Sequence, residues 1–298
     1  MSVGSFLLTR ENLELVRKKS WKFGRPLIID QGLKYYADNP REARQIAGNL
    51  AYMGLPCRDR DLDDVLREIA AHYYEKLFVL VKTYECYWIA QNRIEIGNSL
   101  EPFREARQTG KAVFVGQSHF GATYLTASVL MANGIDVNMV GFFKPPVSHM
   151  LDKTIKTITD RYHTAKARIL NLADETIDVP MEMMKCLSSK QVVSNVYDEN
   201  NAFCRPQNLL GRKIMGGTGM DRILGNFTDD QVIVVTPFLI RTSDETFKYE
   251  VDRHWLSRGN IIDSFFRSLE KRVREYYAQW YFIHELHHNF VKKDETSG

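Results

Sequence analysis

Gly110-Lys111-Ala112-Val113-Phe114-Val115-Gly116-Gln117-Ser118-His119-Phe120-Gly121-Ala122-Thr123-Tyr124 is the stretch on which the reading of this chain turns. After Gly110 and Lys111 come four apolar residues in a row, a short run closed by Gly116. Such a run reads as a strand buried on both faces, as in a parallel sheet. The polar pair Gln117-Ser118 and then His119 follow it. From Tyr124 to Asn133 the chain is apolar at helix length, and Gly134 supplies a stop. Val137 to Gly141 reads as a second strand, so the unit is β-α-β. His119 therefore stands at a strand-to-helix turn, at the carboxyl end of a buried strand, where open α/β sheets bind their ligands. A helix start there would favour a neutral imidazole, the form a general base needs.

Outward from this unit, the pattern predicts an α/β fold: a mixed, mostly parallel central sheet flanked by helices, with a helical lead-in. At 298 residues the chain is read as a single domain, with a lead-in over 1–92, an α/β core over 93–290 and a mobile tail over 291–298. Thr9 caps a short helix ending near Trp21, and the weakly patterned residues up to 30 dock on the body. Asn39-Pro40 starts a helix that Gly54 ends. One long amphipathic helix is predicted from Leu62 to about Ala90. A short strand at 93–96 and a helix at 99–109 lead into the histidine strand. Beyond it, 151–172 reads as a basic helix or helix pair, 191–197 as a strand and 231–241 as the strongest strand. The alternating 247–252 reads as a half-exposed edge strand, and 260–277 as an amphipathic helix.

Composition narrows the class. Hydrophobic residues make up 44% and charged residues 26%, as in ordinary globular proteins. A net charge of +3 does not argue for nucleic acid. Cys57, Cys86, Cys186 and Cys204 are widely spaced free thiols of a reducing compartment. No apolar run reaches the roughly 18 residues of a membrane span, and no signal peptide opens the chain. The cytoplasm is the expected compartment. No metal site is expected: in His284-Glu285-Leu286-His287-His288 the spacing is not that of the zinc-protease signature, although His284 and His288 would share a helical face. Pro206 to Gly219 is glycine-rich, without phosphate-loop spacing.

The segment GKAVFVGQSHFGATY resembles the first motif of the lysophospholipid acyltransferase superfamily, closest to its late lipid A acyltransferase branch. There a strand is followed by His-Phe-Gly, and an acid follows the histidine after four intervening residues; here that position is Tyr124. The resemblance runs from about residue 40 to 290. It takes in a strand ending in Asp198, a strand followed by Arg241 and a closing Gln279-Trp280 with a nearby His284. It implies an acyltransferase-like fold in which His119 deprotonates a hydroxyl that attacks an acyl thioester. Phe120 and Gly121 amides are expected to hold the oxyanion, and Asp198 or Glu199 to orient the imidazole in place of the missing acid. Tyr124, Lys144, Arg161, Arg168 and Arg241 are the expected substrate contacts.

The donor implied is a carrier-protein thioester, its acyl group on phosphopantetheine, with no bound cofactor. The acceptor is lipid A or a lysolipid at the cytoplasmic face of the inner membrane. The changed motif and the missing membrane helix fit an aminoacyl variant, one resembling lipid A glycyltransferases that confer antimicrobial peptide resistance. Ordinary fatty acyl transfer, or lipid and carrier binding without turnover, are the alternatives.

Overall fold

Helices lead and a sheet follows. The computed structural model describes residues 2–144, 147–162, 165–200, 203–217 and 219–291, so most of the expected tail lies outside the described residues. The lead-in is α1 (Val3–Leu7), α2 (Arg10–Lys18), α3 (Trp21–Asp38), α4 (Pro40–Tyr52), α5 (Asp59–Val81) and α6 (Thr83–Asn92). Then come β1 (Ile94–Glu95), α7 (Glu101–Thr109), β2 (Ala112–Gln117), α8 (Thr126–Ala132), β3 (Val137–Gly141), α9 (Val147–Tyr162) and β4 (Ala167–Asn171). They are followed by α10 (Val179–Ser188), β5 (Val192–Val196), β6 (Arg205–Leu209), β7 (Arg212–Gly216), α11 (Met220–Leu224), β8 (Val232–Arg241), β9 (Phe247–His254) and α12 (Ile261–Tyr276).

The α/β class is as expected. The main sheet runs β1-β9-β8-β2-β5-β3-β4. Its members β8, β2, β5, β3 and β4 pair in parallel, while β9 runs antiparallel to β8. The central strands β2 and β8 are buried along almost their whole length, which is why they read as continuous apolar runs. Buried side chains of the lead-in helices and of the sheet belong to one connected core.

Three expectations need correction, and two further segments prove regular. The strand at 247–254 is not an edge: β1 lies on its far side, parallel to it. The expected long helix breaks at Lys82, whose backbone leaves the helical region after its N–H bonds Phe78; no Pro or Gly marks the break, so periodicity ran through it. The basic segment holds one helix, α9, and then the strand β4, whose alternating burial was masked by Arg168. The glycine-rich stretch is a β6–β7 hairpin, turned by Leu210 and Gly211, both at positive φ. The weak pattern at 21–38 is itself a helix, α3. It packs by close approach: a Cβ at Gly32 would lie 2.6 Å from the Ala70 Cβ.

Candidate functional site

The parallel pairing of β2 with β5 brings His119 and Asp198 together, because each follows the carboxyl end of its strand. Asp198 is fully buried. Its carboxylate accepts from the His119 backbone N–H at 2.9 Å, from His119 Nδ1 at 2.9 Å and from Trp280 Nε1 at 3.2 Å. A buried charge is tolerable only when its oxygens are filled in this way. His119 Nε2 points the other way and lies 3.2 Å from Glu199 Oε1. Of the acidic pair, Asp198 orients the ring, and the half-exposed Glu199 meets its free nitrogen.

This double contact overturns the expected neutral imidazole. Burial pushes the ring toward neutrality, but the Asp198 and Glu199 carboxylates outweigh it and hold the His119 pKa well above its usual value. The hydrogen bond from His119 in turn draws the Glu199 carboxyl below its usual range. No helix begins beside His119 to oppose the charge: a single 3-10 turn, Thr123–Leu125, precedes α8.

The turn carrying His119 is stitched down on both sides. Gly121 has φ +60°, and a Cβ there would sit 2.1 Å from the Leu239 carbonyl oxygen. Ala122 N–H donates to that carbonyl at 2.8 Å, and Tyr281 N–H to the His119 carbonyl at 2.9 Å. Gly121 N–H donates to the Gln279 carbonyl at 2.9 Å, so it is spent and cannot serve as the expected oxyanion donor. Phe120 and Trp280 form a non-hydrogen-bonded antiparallel pair, which turns the Phe120 amide away from that segment.

Arg241 is not a substrate contact. Its side chain is buried, with Nε and Nη2 each 2.7 Å from the Glu75 carboxylate, Nη1 2.7 Å from Glu68 and Nη2 3.0 Å from the Gly121 carbonyl. It fastens α5 to the histidine turn. Gln279 completes the fastening by exchanging two bonds with the Arg241 backbone, at 2.8 and 2.9 Å. Arg168 stands at the amino end of β4, the opposite end of the sheet from His119, paired with Glu182 at 3.2 Å. Arg161 lies near the end of α9, its guanidinium 5.6 Å from the Tyr84 ring centre. Lys144 follows β3 on the His119 rim, over Phe142 at 5.7 Å. None of these three lines the cavity at His119.

That cavity has a volume of about 480 Å³ and is lined by His119, Glu199, Tyr124, Lys76, Tyr73, Tyr281, Phe282 and Glu285, with Gly4 and Ser5 of α1 and the flanking Ser2 and Leu8. The Tyr124 ring centre lies 5.7 Å from Lys76 Nζ. A second, mostly apolar cavity of about 840 Å³ runs between α2, α5, α8 and α9, and shares Leu8, Lys76 and Tyr124 with the first.

Sequence reasoning missed His72, Glu75 and Lys76. The signal was present: polar residues inside the apolar repeat of α5. His72 is fully buried and stacks on Tyr281 at 3.5 Å, 6.3 Å from His119. Burial first, then the positive charges of His119 and Arg241, push it well below its usual pKa. His284 and His288 lie in two successive 3-10 turns rather than on one helical face, and His284 Nδ1 bonds the Tyr281 carbonyl at 2.8 Å. No protein-family model matches the chain, and no curated protein matches it in sequence. Among the described residues no helix is long and apolar enough to cross a membrane.

Proposed function

We propose that this protein is an acyltransferase that moves an acyl group, of aminoacyl (glycyl) type, from a carrier-protein thioester to a hydroxyl of lipid A. The observation that carries the proposal is the His119 ring, with Nδ1 on the buried Asp198 and Nε2 turned to a cavity. That is the arrangement of a general base with its orienting carboxylate. Nε2, 3.2 Å from the Glu199 carboxylate, first gives up its proton to solvent as pH rises past the elevated pKa of the ring. The acceptor hydroxyl then passes its proton to Nε2 as its oxygen attacks the thioester carbonyl. The tetrahedral intermediate collapses, and the departing thiolate takes that proton from Nε2. Of the two expected oxyanion donors, the Gly121 N–H is spent on the Gln279 carbonyl and Phe120 is not among the residues lining the cavity.

Two features support an aminoacyl donor and a lipid acceptor. Glu199 and Glu285 line the small cavity and suit an ammonium group. The adjoining apolar cavity suits a hydrocarbon chain of the acceptor. Phe142 and Phe203, each 60% exposed, and Leu172, 52% exposed, follow the carboxyl ends of β3, β5 and β4. They suit contact with the cytoplasmic face of the inner membrane on the His119 side. The same apolar cavity favours a second reading, fatty acyl transfer to lipid A or a lysolipid.

Mass spectrometry of lipid A after incubation with glycyl carrier protein, and in parallel with fatty acyl carrier protein, tests this. A glycyl gain that disappears in His119→Ala is expected. A fatty acyl gain moves the protein to the second reading. An unchanged mass with both donors leaves binding without turnover.

A further inference from the structure

At the amino ends of β2, β5, β3 and β4, on the side of the sheet away from His119, lies a separate open cavity of about 810 Å³. Six cations line it: Arg104, Arg107, Lys111, Lys166, Arg168 and Lys190. Asp136 is the one carboxylate among its described lining residues, and its Oδ1 is taken by the Lys166 backbone N–H at 2.6 Å. Arg104 and Arg168 share their charge with Glu101 and Glu182. Arg107, Lys166 and Lys190 have no ion pair among the described residues. Cations near helix C-termini offset the partial negative charge of roughly half a unit that each helix end carries. Six of them around one concavity exceed that need.

Lys190 supplies an independent observation. It closes α10 in a Schellman turn: its N–H donates to Leu187 and that of Gln191 to Cys186, each at 3.0 Å. Such a turn puts this residue in the left-handed region, and Lys190 has φ +60°. Glycine is the residue that fits there without strain. The chain instead carries a lysine, whose Nζ lies over Gly110 at the mouth of the neighbouring strand, 3.2 Å from where a Cβ would be. The strained backbone thus places a cation on the cavity wall.

We infer that this cavity is a binding site for a multivalent phosphate, held between Lys190, Arg107 and Lys166. Guanidinium and ammonium groups converging from three chain segments match the spread of charge on linked phosphates better than on a single carboxylate. The ligand's source is either a free polyphosphate compound or a phosphomonoester lipid headgroup.

Titration calorimetry at physiological ionic strength tests this, with inorganic tripolyphosphate in one arm and vesicles of phosphatidylcholine with and without phosphatidic acid in the other. Lys190→Gly removes the cation and the strain together, so it folds at least as stably as the parent chain. It is expected to weaken binding about tenfold, and the triple variant with Arg107→Gln and Lys166→Gln to abolish it. Loss in the tripolyphosphate arm identifies a free ligand, and loss in the phosphatidic acid arm alone identifies a lipid headgroup. Absence of binding in both arms, or binding unchanged in the triple variant, overturns the inference.

Discussion

His119 is clamped between two carboxylates, and under the proposed mechanism the clamp sets when it can act. As a cation it cannot accept a proton, so turnover should rise with pH through its elevated pKa. Glu199→Gln removes one of the two negative charges. The rising limb of the pH–rate profile should then shift to lower pH, while the fold is unchanged. Asp198→Asn should do more damage, because it also loses the bond that fixes the tautomer; a fall of roughly 10²–10⁴-fold in rate is expected for it and for His119→Ala. Full activity in His119→Ala would remove the histidine from the mechanism. At this scale the sequence was informative where chemistry and position coincided, at His119 and Asp198. It misread Arg241 as a substrate contact, since an arginine at a strand end reads the same whether it meets substrate or the buried Glu75 and half-buried Glu68 of a distant helix.

Elements explain what periodicity can and cannot reveal. Strands β2 and β8 were legible because burial on both faces leaves an unbroken apolar run. Helix α3 was not, because its buried stripe contains Gly24, Arg25 and Gly32, which carry no hydrophobic signal. The glycines serve close packing. Gly32→Ala improves helix propensity by about 1 kcal/mol, yet its methyl would meet Ala70 at 2.6 Å. Overpacking is expected to win, with a net loss of about 1–2 kcal/mol. Urea unfolding monitored by circular dichroism would show it as a lower midpoint at the same slope; a higher midpoint would mean that α3 and α5 can move apart freely. Strand β9 was mistaken for an edge because its alternation is real, but the short β1 covers its flank.

For the whole molecule, two buried histidines oppose His119. His254 bonds the Thr236 hydroxyl at 2.8 Å, and burial pushes its pKa down to about 4. His72 is likewise held well below its usual pKa, by burial first. Each binds a proton more readily once the chain unfolds, so their stability is full above about pH 6.5 and drains as pH falls toward 4. His254 alone accounts for about 3 kcal/mol of that loss. His119 acts in the opposite sense: its contribution is full below about pH 6.5 and is lost as pH rises through its elevated pKa. Urea unfolding at pH 7 and pH 4.5 should show a lower midpoint in acid, and His254→Gln should narrow the gap. Arg241→Met would leave Glu75 buried without its partner and should cost about 3–5 kcal/mol. This cluster also bears on synthesis. Glu75 leaves the ribosome 166 residues ahead of the arginine that neutralises it. At ordinary elongation rates that is a wait of roughly ten to thirty seconds. Throughout it the nascent helices carry a carboxylate that has no permanent place, so they cannot settle into their final packing until about four-fifths of the chain has been made.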